Sequence, residues 1–130
     1  MSTLYHHPMS AASRFIRLVI GEYAFEVDMI EERPWEKRKA FLTANPAGTL
    51  PVYVDDNMRA LCGPFVIAEF MDETHGVLQR ERRLLAEEPF QRAEIRRLTE
   101  WFLLKLEQDV THPLCRERVY KLQMSTEYGG

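Results

Sequence analysis

Cysteine is scarce in this sequence: Cys62 and Cys115 stand alone, with no CxxC pair and no ligand-like spacing to histidine. That excludes a disulfide framework and a structural zinc site, and points to a reducing compartment. Basic excess is missing too. The 17 Lys and Arg are outnumbered by 20 Asp and Glu, giving a formal net charge of -3, the wrong sign for wrapping a phosphate backbone. No apolar run approaches the ~18 residues that a membrane helix needs, and "MSTLYHHPMS" lacks the cationic and apolar stretches of an export signal. The expectation is a cytoplasmic globular protein without membrane or nucleic-acid partners.

What is present suits one ordinary packed core, with 45% hydrophobic residues in a chain of 130. Thr3 to His6 read as a short strand. "AASRFIRLVIGE" then spaces Phe15, Ile16, Val19 and Ile20 as a helix does. Gly21 predicts a helix stop, and Phe25, Val27 and Met29 alternate with Glu26 and Asp28 as a second strand with one apolar face. "RPWEKRKAFLTANPAG" predicts a helix from Pro34 to Asn45, anchored by Trp35, Phe41 and Leu42. Val52 to Val54 and Met58 to Leu61 flank Asp55-Asp56-Asn57, the pattern of an antiparallel hairpin. "LCGPFVIAEFMDE" reads as a strand end running into another helix.

A polar stretch follows, and after Pro89 comes a long helix with an apolar stripe through Phe90, Ile95, Leu98, Trp101 and Phe102. Thr111, His112 and Pro113 are expected to break it before "LCRERVYKLQM" starts another. The expected domains are residues 1–76, a linker over 77–88, and a helical region over 89–130. Two helices with wide apolar faces and little to bury them against predict the front part of a longer protein, or packing in an oligomer.

The element order βαβαββα, followed by helices, resembles the glutathione S-transferase family: a thioredoxin-like α/β domain joined to the first helices of an all-α domain. The stretches carrying the resemblance are "TLYHHPMSAASRFIRL", "FLTANPAGTLPVYVDDN", "LCGPFVIAEFMDE" and the segment with the helix beginning at Pro89. The resemblance implies a cis peptide bond before Pro51, leaving Leu50 to offer its main-chain N–H and C=O to a peptide lying alongside, as glutathione does in the family. Family members with a serine at the start of the first helix use its hydroxyl on the glutathione thiol. Ser10 is the candidate for that role and Ser13 a second; Ser10 is equally well placed as a helix cap. The family also implies a homodimer. Phe65, Phe70, Trp101 and Phe102 are candidates to reach its contact, although some of these rings are expected to fill the core of each subunit.

One position departs from the family. There the third helix opens on an acidic residue and a serine whose hydroxyl and N–H hold the γ-glutamyl carboxylate at the positive helix end. Here Gly63 takes the acidic position and Pro64 the serine's, and proline brings neither N–H nor hydroxyl. Losing two charge-assisted hydrogen bonds of ~1.5–3 kcal/mol each weakens an anion by roughly a hundredfold or more.

Two functions follow from the resemblance. One is a non-catalytic protein-binding module, like the alphaproteobacterial FtsZ-localised protein A branch, which binds the division tubulin FtsZ. The other is an active transferase joining glutathione, as co-substrate, to small electrophiles. A redox role lacks a cysteine at positions 8 to 13, and Cys62 reads as a small buried residue. His6 and His7, adjacent on a strand, point to opposite faces and cannot readily share a metal. Arg80, Arg82, Arg83, Arg92, Arg96 and Arg97 are interleaved with glutamates, the pattern of a solvated face and not of a nucleic-acid site.

Overall fold

Ten buried hydrophobic side chains and one mixed sheet organise the first part of the chain in a computed structural model that describes residues 1–124. Strands β1 (Thr3–His6), β2 (Asp28–Glu31), β3 (Val52–Val54) and β4 (Ala60–Cys62) lie in the order β2-β1-β3-β4. β1 runs parallel to β2, and the remaining pairs are antiparallel. This is the thioredoxin-like arrangement that the element order predicted. The chain forms two compact units, Met1–Leu85 and a second beginning at Ala86.

Helix α1 (Ala11–Tyr23) buries Ile16, Val19, Ile20 and Tyr23, a stripe at i, i+3, i+4 and i+7. Helix α3 (Pro64–Thr74) adds Ile67 and Met71 one turn apart, and both helices close on Leu4 of β1 and Tyr53 of β3. Tyr5, next to Leu4 and so on the opposite face of the sheet, meets the fully buried Phe41 of helix α2 (Lys39–Ala44), with ring centroids 5.9 Å apart. The sheet is thereby covered on both faces.

Several expected boundaries shift. α1 does not stop at Gly21 but ends at Tyr23, with Ala24 in the left-handed conformation donating to the Gly21 carbonyl. Glycine inside a helix costs only ~1 kcal/mol, and the buried Tyr23 outweighs that. The second strand is shorter than expected and starts at Asp28. Phe25 and Val27 pack against the core before it, while all four residues of the edge strand β2 are exposed, so the expected apolar face is absent. The single helix expected from Pro34 to Asn45 is split. A turn over Pro34–Glu36 ends at Lys37, whose positive φ of 50° swings the chain so that Arg38 reaches the buried Glu32. Arg38 Nε donates to Glu32 Oε2 at 2.9 Å, and Nη2 to Oε1 at 2.5 Å. In the hairpin, Met58 lies in the turn at φ 62°, because Asp55 Oδ1 accepts the N–H groups of Asn57 and Arg59 at 2.9 and 2.8 Å.

Beyond α3, two short turns, Gly76–Leu78 and Arg80–Arg82, occupy much of the stretch read as a linker. In the second unit the expected break at Thr111–Pro113 does not occur. The backbone stays helical from Pro89 to Gln123, with φ/ψ of -65°/-50° at Thr111. Wider π-type turns over Trp101–Lys105, Glu107–Thr111 and Arg116–Tyr120 flank the proline. Such turns loosen the i to i+4 ladder where a missing N–H would otherwise interrupt it. Phe90, Leu98, Trp101, Phe102 and Leu114 are exposed on this unit. Phe70, by contrast, packs against the core beside Tyr53, and Phe65 is half-buried. The part of the expected helical region over residues 125–130 lies outside the described residues. Among the described residues, no helix is long and apolar enough to cross a membrane.

His75 caps α3 and stacks flat on Phe25, with centroids 3.9 Å apart, and burial lowers its pKa below 6.5. A histidine depressed on folding binds its proton more readily in the unfolded chain, so its contribution is complete above about pH 6.5 and is lost as pH falls through the folded value. Urea unfolding at pH 7.5 and pH 5 should show a loss of stability at the lower pH that is smaller in His75→Phe. His6, lowered by burial and by Arg17, accounts for part of what remains.

Candidate functional site

Register brings the singled-out residues to one end of the sheet. Tyr5 of β1 pairs with Val52, and Val52 with Cys62. The chain leaving β1 (His6 to Ser10), the chain entering β3 (Leu50, Pro51) and the chain leaving β4 (Gly63, Pro64) are therefore neighbours. The Gly63 N–H donates to the Pro51 carbonyl at 3.1 Å, which ties the last two together.

At the start of α1 the hydroxyls divide. Ser10 is the N-cap, its Oγ accepting the Ser13 N–H at 3.1 Å, and it is half-buried. A hydroxyl that accepts one bond still has its proton to donate, so capping does not consume the donor a thiol or thiolate would need. Ser13 is fully buried, and its Oγ accepts the His7 N–H at 3.3 Å. It faces inward, and Ser10 is the hydroxyl nearer solvent. His7, weighed in the sequence as a metal ligand, organises this loop. Its Nδ1 accepts the Met9 N–H at 3.1 Å, its carbonyl accepts the Ser10 N–H at 3.0 Å, and its ring lies 5.9 Å from Trp35.

The Leu50–Pro51 bond is cis. The loop before it is built on buried Asn45, whose Nδ2 donates to the Thr49 carbonyl at 2.9 Å and whose Oδ1 accepts the Ala47 N–H at 3.2 Å. Sequence reasoning marked the "NPAG" run but not the amide that shapes it. Nothing in the sequence signals the Glu32–Arg38 pair either; a buried glutamate just after a strand has no periodic signature. Leu50 makes no backbone hydrogen bond among the described residues, so its N–H and C=O are available along the sheet end.

Helix α3 starts at Pro64, with Gly63 before it at φ 98°, ψ 152° and no side-chain cap. The Ile67 N–H is spent on the Gly63 carbonyl at 3.2 Å. Pro64 has no N–H to give, which leaves Phe65 and Val66 as the first-turn donors. The helix end thus lacks a hydroxyl, a cap and one amide at the place where an anion would be held. Nearby, burial pushes the Cys62 thiol up from its usual value, and its Sγ lies 3.7 Å from the Ala44 carbonyl. At neutral pH it stays a protonated, packed side chain and not a nucleophile.

Residues 11–74 match the family model for the glutathione S-transferase N-terminal domain. FtsZ-localized protein A of Caulobacter vibrioides is 35% identical over 122 residues, a match covering 92% of this chain and 52% of that protein. The crystal structure of a glutathione S-transferase from Sinorhizobium meliloti 1021 is 68% identical with a TM-score of 0.98, covering all of this chain and 56% of that one. The structure of FzlA from C. crescentus is 36% identical with a TM-score of 0.81, over 95% of this chain and 55% of that one. The chain thus spans about half the length of these relatives.

The backbone at Gly63 can be tested against a control in the same unit. A Cβ at Gly63 or at Gly21 would meet nothing within 4 Å, but only Gly63 has a positive φ. Gly63→Ala should therefore destabilise by ~1–3 kcal/mol through backbone strain alone. Gly21→Ala, inside α1, should stabilise by roughly 0.5–1 kcal/mol. Denaturant midpoints of the two variants should move in opposite directions; a shift of the same sign in both would refute this reading of the junction.

Proposed function

This chain belongs to the glutathione S-transferase family through its N-terminal domain, and we propose that it serves as a partner-binding module associated with FtsZ in bacterial cell division, not as a conjugating enzyme. The observation that carries the proposal is the Gly63–Pro64 junction. At the helix end where the family grips the γ-glutamyl carboxylate, this chain presents a glycine in a glycine-only conformation and an imino acid. The scaffold around it is intact, down to the cis Leu50–Pro51 bond. The 35% identity to a protein named for its localisation with FtsZ supports FtsZ as the partner. Self-association as a homodimer, which the family implies, is part of the same proposal.

The second reading, an active transferase that conjugates glutathione to small electrophiles, draws on two features. The Ser10 hydroxyl retains a proton to donate, and the backbone groups of Leu50 make no hydrogen bond among the described residues, which suits a peptide lying alongside. Against it stands the lost clamp, worth ~3–6 kcal/mol for two charge-assisted bonds. Glutathione held by the rest of the groove alone would bind weakly.

Calorimetric titration with millimolar glutathione should show no micromolar binding. Pro64→Ser, which restores the hydroxyl and the N–H together, should tighten binding at least tenfold. Full-length protein should co-pellet with FtsZ polymers. Micromolar glutathione affinity in the unaltered protein, with turnover of a generic electrophile that disappears in Ser10→Ala, would establish the transferase reading instead; failure to co-pellet would remove the FtsZ assignment.

A further inference from the structure

We infer that residues 75–85 form a latched strap, closed across the C-terminal ends of α1 and α3 and opening as one unit, so that it clamps together the two helices whose other ends build the candidate site. This concerns a device in the fold and stands whether the site takes a peptide, glutathione or neither.

The strap is held at both of its ends. At its start, the His75 ring stacks on Phe25, just beyond α1, at 3.9 Å and within 2° of parallel. Gly76 then passes so close to two anchors that a Cβ there would lie 2.8 Å from Asp72 Oδ1 and 2.9 Å from Tyr23 Oη. At its far end, Arg83 Nε and Nη2 donate to the two carboxylate oxygens of Asp72, each at 2.9 Å. The Leu84 N–H donates to Tyr23 Oη at 3.1 Å. Tyr23 belongs to α1 and Asp72 to α3, so every anchor lies on or next to one of these helices.

These contacts share atoms, and that makes the strap cooperative. Asp72 Oδ1 both accepts from Arg83 and abuts Gly76; Tyr23 Oη both accepts from Leu84 and abuts Gly76. Asp72 is almost wholly buried. If Arg83 lets go, a buried charged carboxylate loses its two-pronged ion pair, which is strongly unfavourable. Gly76 packs directly against Asp72 Oδ1, so water coming to the carboxylate from that side needs Gly76 to move as well. A local release at one end is therefore disfavoured relative to opening the whole segment. Because α1 is capped at its N-terminus by Ser10 and α3 begins at Gly63–Pro64, releasing the C-terminal ends leaves the site's two helices held together by their shared apolar core alone at that end.

Hydrogen exchange read by mass spectrometry on the full chain tests this with two variants. Gly76→Ala drives a methyl into both anchors at once. Tyr23→Phe removes only the hydroxyl and keeps the buried ring. Both should speed exchange across 76–84 together, about tenfold or more for Gly76→Ala and about fivefold for Tyr23→Phe. Peptides of α1 and α3 should follow more weakly, and the α2 peptide containing Phe41 should not change. Acceleration confined to the amides next to each substitution would overturn the latch. So would equal acceleration in α2, since the strap would then have no opening of its own. If Gly76→Ala does not fold, the extent of the Tyr23→Phe response decides the matter.

Discussion

The hydrogen bond from the Gly63 amide to the Pro51 carbonyl joins the exit of β4 to the cis-proline loop, and the candidate site rests on it. Making this bond while also starting a helix one residue later demands a backbone that only glycine adopts easily, φ 98° with ψ 152°. Proline then enters α3 with its ring already at a helical φ and with no amide that the helix needed. Glycine followed by proline is thus a good solution for the fold and a poor one for an anion. The first turn begins cleanly, yet a carboxylate arriving there finds neither a hydroxyl nor a full set of amides. A poorer seat for an anion and a well-started helix come from the same two residues.

The hydroxyls at the start of α1 show a similar division. Ser13 turns inward and closes the His7 loop, whereas Ser10 caps the helix and keeps its proton free. His7 fastens the turn between them through both its backbone and its ring. Ser10 thus leaves a hydroxyl donor at the start of α1, whereas the start of α3 offers an anion neither a hydroxyl nor a capping side chain. This asymmetry underlies the proposal that the site recognises a partner and not a charged tripeptide.

α1 and α3 are each held at both ends. Their N-termini meet the site, and their C-termini meet Tyr23, Phe25, Asp72 and the segment that crosses them. Ile16, Val19 and Ile20 on one helix and Ile67 and Met71 on the other fill the space between them and the sheet. The apolar contacts supply cohesion without direction. The Asp72–Arg83 fork and the Tyr23 hydroxyl add direction, because they are satisfied in only one placement of the chain.

Local pattern alone determined the element order, the hairpin about Asp55, the inward stripe of α1 and the proline at the head of α3, since period, turn chemistry and the missing amide of proline act between near neighbours. It misjudged Gly21, the span of β2, Lys37 and Pro113, where distant partners or a loosened helix outweigh a residue's own preference. Only the tertiary structure decided that Ser13 faces inward while Ser10 does not, that Glu32 meets Arg38, and that Asp72 and Tyr23 hold the segment after α3. Those partners lie up to 61 residues apart in the chain. Burial makes their hydrogen bonds obligatory, because a polar group removed from water must find whatever partner folding brings to it, and no spacing in the sequence announces which one that will be.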